Sequence, residues 1–110
     1  MNPIKSVIKE ELANSLKLQK SYERELKKLP KGSLVRKNIS GHDYYYLAVR
    51  EGEKVKYIYK GKLSAKEIKK YEQIKNARKK YRVLLSKTKK QIRFLERSLK
   101  IGSQTKKSAN

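Results

Sequence analysis

Apolar positions along the chain follow two different periods. From residue 3 to residue 29, Ile8, Leu12, Ser15, Gln19, Tyr22, Leu26 and Leu29 recur at alternating steps of three and four, which is one narrow seam along a helix. Asn2 before Pro3 suits a helix start, because asparagine caps free amide groups and proline is tolerated in the first turn. Leu29 ends the helix, since a residue preceding proline, here Pro30, is pushed out of the helical region. About 27 residues of helix reach roughly 40 Å. That is too long to hide in a small globule, so a second helix is expected alongside.

The period changes at Gly32. Residues 33 to 40, 44 to 50 and 54 to 60 are short runs rich in β-branched and aromatic side chains, separated by Gly41-His42-Asp43 and Glu51-Gly52-Glu53. Three-residue loops containing glycine connect hairpins, so this stretch is predicted to be a three-stranded antiparallel meander. With Ser40 opposite Tyr44 and Arg50 opposite Lys54, one face gathers Val35, Ile39, Tyr45, Leu47, Val49, Val55, Tyr57 and Tyr59, and is the expected core face. The other face carries Arg36, Asn38, Tyr44, Tyr46, Arg50, Lys54, Lys56 and Lys60, with Ala48 and Ile58 between them. A one-residue slip of either hairpin exchanges these sets.

After Gly61 the helical period returns. Ser64-Ala65-Lys66-Glu67 is a capping box, and Tyr71, Ile74, Arg78, Tyr81, Leu85, Thr88, Ile92, Leu95 and Leu99 continue the three-and-four spacing, widened by Ala77 and Leu84. This helix is predicted to run from residue 64 to about residue 100, ending near Gly102, with a disordered tail from 103 to 110. Two matching seams predict an α+β fold: a long helix, a three-stranded antiparallel meander and a longer helix, the two helices pairing as an antiparallel coiled-coil-like hairpin. Residues 1 to 102 are expected to form one domain. The second helix is longer than the first, and its surplus stripe offers a possible route to a homodimer.

Charge changes the picture most. The 110 residues hold 31 Lys and Arg against 10 Asp and Glu, a net charge of +21. Such a field attracts nucleic acid, anionic membrane or acidic protein. It is unevenly spread: residues 64 to 100 carry fourteen bases and three acids, more than half of the whole excess. A solvated helix exterior would alternate signs at four-residue spacing, and here only Glu67, Glu72 and Glu96 answer the bases. A helix of this kind can follow a phosphate backbone, supplying affinity without sequence information.

Composition also narrows the chemistry. The chain has no cysteine, and its only histidine, His42, has no partners for a usual zinc site, so neither metal nor cofactor is expected. Tyr44-Tyr45-Tyr46 offers no surrounding cluster of Arg and His for covalent tyrosine chemistry, and only 36% of residues are apolar, too few for a deep pocket. A non-enzymatic protein is expected. No apolar run approaches the roughly 20 residues that cross a bilayer, and the N-terminus lacks a signal peptide's apolar segment, so no membrane association and a cytoplasmic location are expected.

GSLVRK followed by YYYLAVREGEKVKYIYKGKLSAKEIKKYE resembles the arm-site DNA-binding domain of tyrosine integrases over residues 32 to about 72. The resemblance implies a sheet whose exposed face enters the major groove, with Arg36, Tyr44, Tyr46, Lys54 and Lys56 as reading positions. That family has neither this first helix nor so long a second one, and the chain has no room for an integrase's catalytic domain. LPKGSL, YYYL and YKGK between two helices resemble a set of small basic prokaryotic and phage proteins, which implies no activity.

The residues together point to a nucleic-acid-binding protein, for DNA or RNA. The candidate contacts are Arg36, Tyr44, Tyr46, Arg50, Lys54, Lys56 and Lys60 on the sheet, and Lys75, Lys79, Arg82, Lys89, Lys90 and Arg93 on the second helix. The alternative is a protein-interaction module docking on an acidic protein or ribonucleoprotein, such as a phage or mobile-element inhibitor of a nucleic-acid-guided effector, anti-CRISPR-like in action.

Overall fold

The computed structural model describes the backbone of residues 3 to 108 and the side chains of residues 3 to 101. Helix α1 (Pro3–Lys28) is followed by β1 (Ser33–Ile39), β2 (His42–Glu51), β3 (Lys54–Gly61) and helix α2 (Ala65–Ser108), the expected helix, meander and helix of an α+β fold. The chain divides into two compact units, one built from residues 1 to 27 with 80 to 110, the other from residues 28 to 79.

In the first unit α1 packs antiparallel to the later part of α2. Tyr22 meets Tyr81 with ring centroids 6.2 Å apart at 43°, a tilted contact of the kind that adds about 0.5–1.5 kcal/mol beyond its buried area. Ser15, Ile92 and Leu95 are the buried side chains here. A serine on the seam is small enough to let two helix backbones approach. Polar seam residues are satisfied within their own helices: Thr88 donates to the Leu84 carbonyl at 2.8 Å and Gln19 to Glu23 at 3.2 Å. Among the described residues the result is a seam, with no wide apolar core.

Residues 65 to 79 of α2 belong to the unit that contains the sheet. The start of α2 is capped as its sequence requires, the Glu67 amide donating to Ser64 Oγ at 3.2 Å and the Ile68 amide to the Ser64 carbonyl at 3.0 Å. Of the tail expected at 103 to 110, residues 103 to 108 continue α2, and 109 and 110 lie outside the described residues.

The sheet has the order β1-β2-β3, but both hairpins are tighter than expected. Ile39 pairs with His42, which leaves Ser40 and Gly41 as a two-residue turn, both at positive φ (52° and 81°). That is the signature of a type I′ turn, whose twist matches the strands. Glu51 pairs with Lys54 across Gly52 and Glu53, with positive φ at Gly52 alone (63°), as at the first position of a type II′ turn. Near its end β3 carries a bulge: Tyr46 pairs with Tyr59 and Tyr45 with Gly61, leaving Lys60 as the extra residue.

These registers correct the expected faces. The first hairpin is displaced by three residues and the second by one, both odd shifts, so β1 and β3 turn over relative to β2. Leu34, Arg36 and Asn38 share a face with Asp43, Tyr45, Leu47 and Val49, and with Lys56 and Ile58. Val35, Ile39, Val55, Tyr57 and Tyr59, expected in the core, lie with Tyr44, Tyr46, Ala48 and Arg50 on the opposite face.

The Tyr45 face is the covered one. Tyr45 is buried, Leu47 and Val49 are half-buried, and a Cβ on Gly32, which has φ 108°, would stand 2.8 Å from Leu47 Cγ. Arg78, the cation on the stripe of α2, reaches the segment that leads into β1. Its guanidinium donates to the Gly32 carbonyl at 3.3 Å and to the Pro30 carbonyl. No helix is long and apolar enough to cross a membrane among the described residues.

Candidate functional site

The uncovered face of the sheet carries an aromatic surface. Alternation brings Tyr44 and Tyr46 of β2 to the same side as Tyr57 and Tyr59 of β3. Tyr46 and Tyr59 pair across the strands with centroids 5.2 Å apart at 55°. Tyr57 is 63% and Tyr59 59% exposed, so both rings offer most of their surface to solvent. Val35, Ile39 and Val55, also exposed, fill in around them.

Charge on this face has one sign. Lys37 pairs with Tyr44 and Arg50 with Val55, placing both cations on the tyrosine side, while the Lys62 ammonium stands 5.9 Å over the Tyr44 ring. The sheet's acids lie elsewhere. Asp43 accepts from the Asn38 amide at 2.9 Å on the covered face, Glu51 shares that side with Lys54, and Glu53 sits in the turn. A negative ligand on the outer face would meet cations and rings and no carboxylate within the face itself.

Of the sheet residues predicted as contacts, the structure brings Tyr44, Tyr46 and Arg50 together on this face and does not bring the others. Arg36 stands opposite Tyr45, Lys56 opposite Val49 and Lys54 opposite Glu51, all on the covered side, where their side chains are exposed at the margins. Lys60 occupies the bulge. Tyr57, Tyr59 and Lys37 are the outer-face residues that sequence reasoning missed. The signal for them was the Ser40-Gly41 dipeptide, a two-residue turn sequence that sets the whole register.

The second feature is on α2. Taking 100° per residue, Arg82, Lys89, Lys90, Arg93, Arg97 and Lys100 fall on one flank, away from the Ile92 and Leu95 side, and every one is exposed. Over about 27 Å of helix this flank has Glu96 alone at its edge. Lys90, Arg93, Arg97 and Lys100, with Glu96, line an open hollow of about 520 Å³. Arg97 and Lys100 extend the predicted set, at the same three-and-four spacing that marks the rest. Lys75 and Lys79 are exposed on the part of α2 that belongs to the sheet unit.

Lys89 with Arg93 and Arg93 with Arg97 are like charges four residues apart, each such pair weakening a helix by about 0.2–0.5 kcal/mol. The flank is therefore built at some expense to the helix itself. Among the described residues no group of three or more His, Asp and Glu side chains is gathered to hold a metal. Comparison of the chain with known protein families, with curated protein sequences and with solved structures finds no match.

Proposed function

We propose that this protein binds nucleic acid without catalysing a reaction on it, in the cytoplasm of its host cell. The observation that carries this reading is the flank of α2, where Arg82, Lys89, Lys90, Arg93, Arg97 and Lys100 are all exposed along one line. Phosphates of a nucleic-acid backbone neutralise such a line and release condensed counterions, which is the main source of affinity in sequence-independent binding. The outer face of the sheet adds contacts of another kind through Tyr44, Tyr46 and Arg50, now joined by Tyr57, Tyr59 and Lys37.

The integrase-like reading, a sheet face entering a major groove, loses three of its reading positions to the register, since Arg36, Lys54 and Lys56 sit on the covered side. Sequence-specific groove reading depends on such donors reaching base edges. The protein is accordingly a general polyanion binder more than a reader of duplex sequence.

Gel shifts with duplex DNA, single-stranded DNA and RNA test this, using wild type and a variant with Arg82, Lys89, Arg93 and Arg97 all changed to Gln. Retained binding by wild type and a marked loss by the variant on every substrate are expected. Equal binding by both proteins would refute the role of the flank.

A second reading is favoured by exposed Val35, Ile39 and Val55, which also suit a protein surface. There the chain docks on a ribonucleoprotein or acidic protein, as an inhibitor of a nucleic-acid-guided effector would. A complex that survives nuclease treatment would support it.

A further inference from the structure

We infer that the outer face of the sheet is a stacking platform for the bases of single-stranded nucleic acid, with Tyr57 and Tyr59 as its principal rings. This rests on the proposed binding of nucleic acid and names the form of it that the sheet takes. The opposite face is the poorer platform, because its one ring, Tyr45, is buried. The outer face has four tyrosines on two adjacent strands, the two on β3 being the most exposed rings of the sheet. Lys37, Arg50 and Lys62 flank the rings, and no acid shares the face.

The chemistry selects the ligand. In a duplex the faces of the bases are already stacked on one another, and what the grooves present are base edges, which call for hydrogen-bond donors and acceptors. The outer face offers few of these and much ring surface. Unstacked bases offer π faces, and aromatic side chains take them with little regard to sequence, while nearby cations hold the backbone. A protein partner would equally bury the apolar margin, but it would gain little from a face whose charges are all positive unless it were itself acidic.

The chain has eight tyrosines and no tryptophan, so its intrinsic emission reports on tyrosine alone. The full chain is titrated with oligothymidylate, oligouridylate, a duplex of equal length and an abasic strand of equal length, following emission quenching and anisotropy. Wild type is compared with Tyr57→Ala/Tyr59→Ala and Tyr57→Phe/Tyr59→Phe, helix content being checked by circular dichroism.

Oligothymidylate and oligouridylate are expected to quench emission and the abasic strand to leave it unchanged. The alanine pair is expected to weaken single-strand binding by about 5- to 150-fold for each base that loses its ring. It leaves the abasic strand's affinity as it was, and the phenylalanine pair restores most of the loss. Equal affinity for abasic and base-bearing strands would overturn the platform while leaving polyanion binding in place. Failure of all four probes to bind would overturn both. A wild-type dimer that the alanine pair converts to monomer would assign the face to a second copy and overturn the inference.

Discussion

Gly32→Ala probes the close approach of Gly32 to Leu47 and Val49 on the Tyr45 face. Gly32 has φ 108°, a conformation that L side chains rarely adopt, and an added methyl would stand 2.8 Å from Leu47 Cγ, 3.0 Å from Leu47 Cδ1 and 3.1 Å from Val49 Cγ2. The positive φ disfavours alanine by about 1–2 kcal/mol, and crowding of this kind adds about 1–3 kcal/mol. The lower entropy of the unfolded alanine chain returns about 0.4–1 kcal/mol. The net expectation is a loss of about 1–5 kcal/mol, read as a lower midpoint in urea denaturation followed by circular dichroism.

Gly52→Ala is the control. Gly52 also has positive φ, 63°, but nothing lies within 4 Å of its Cβ position. The smaller loss expected there isolates the crowding at Gly32. Equal losses at the two positions would mean that a methyl at Gly32 meets no crowding from Leu47, and would refute the close approach.

Arg78→Gln removes a charged donor from the Gly32 and Pro30 carbonyls. A loss of about 1.5–3 kcal/mol is expected in the same denaturation assay, and an unchanged midpoint would remove Arg78 from this role. A double-mutant cycle on Tyr22→Ala and Tyr81→Ala should give a coupling of about 0.5–1.5 kcal/mol across the helix pair. Zero coupling would contradict the pairing of α1 with α2.

Element order and type were legible in the sequence because each rests on a local signal. Pro30 stops α1, Ser64 caps α2, and the three-and-four spacing distinguishes both helices from the strands between them. Which side of each strand faces inward was not legible. Val55, Tyr57 and Tyr59 alternate with Lys54, Lys56, Ile58 and Lys60 and so read as a buried row, yet they are exposed. The rule that apolar alternation marks the inner face assumes a sheet with a substantial core to fill. Among the described residues the buried apolar side chains are only Tyr45, Ile92 and Leu95, so turn chemistry outweighs burial in setting the register.

Arg78 shows the same limit from the other side. It falls on the three-and-four spacing of α2, but its partners are backbone carbonyls far away in the sequence, which no periodicity reveals. The basic flank of α2, in contrast, follows from residue spacing alone, because a helix converts three-and-four steps into one line. That is why Arg82, Lys89, Lys90 and Arg93 kept their predicted grouping while Arg36, Lys54 and Lys56 did not.

The most direct test of the central claim is the salt dependence of nucleic-acid affinity, measured by anisotropy with a labelled strand and its duplex. Six cations on α2 that each neutralise one phosphate predict a log–log slope of about −5 on duplex DNA and about −4 on a single strand. Changing Arg82, Lys89, Arg93 and Arg97 to Gln should make the duplex slope shallower by about 3.6. An affinity independent of salt, or a slope that this variant leaves unchanged, would contradict the account.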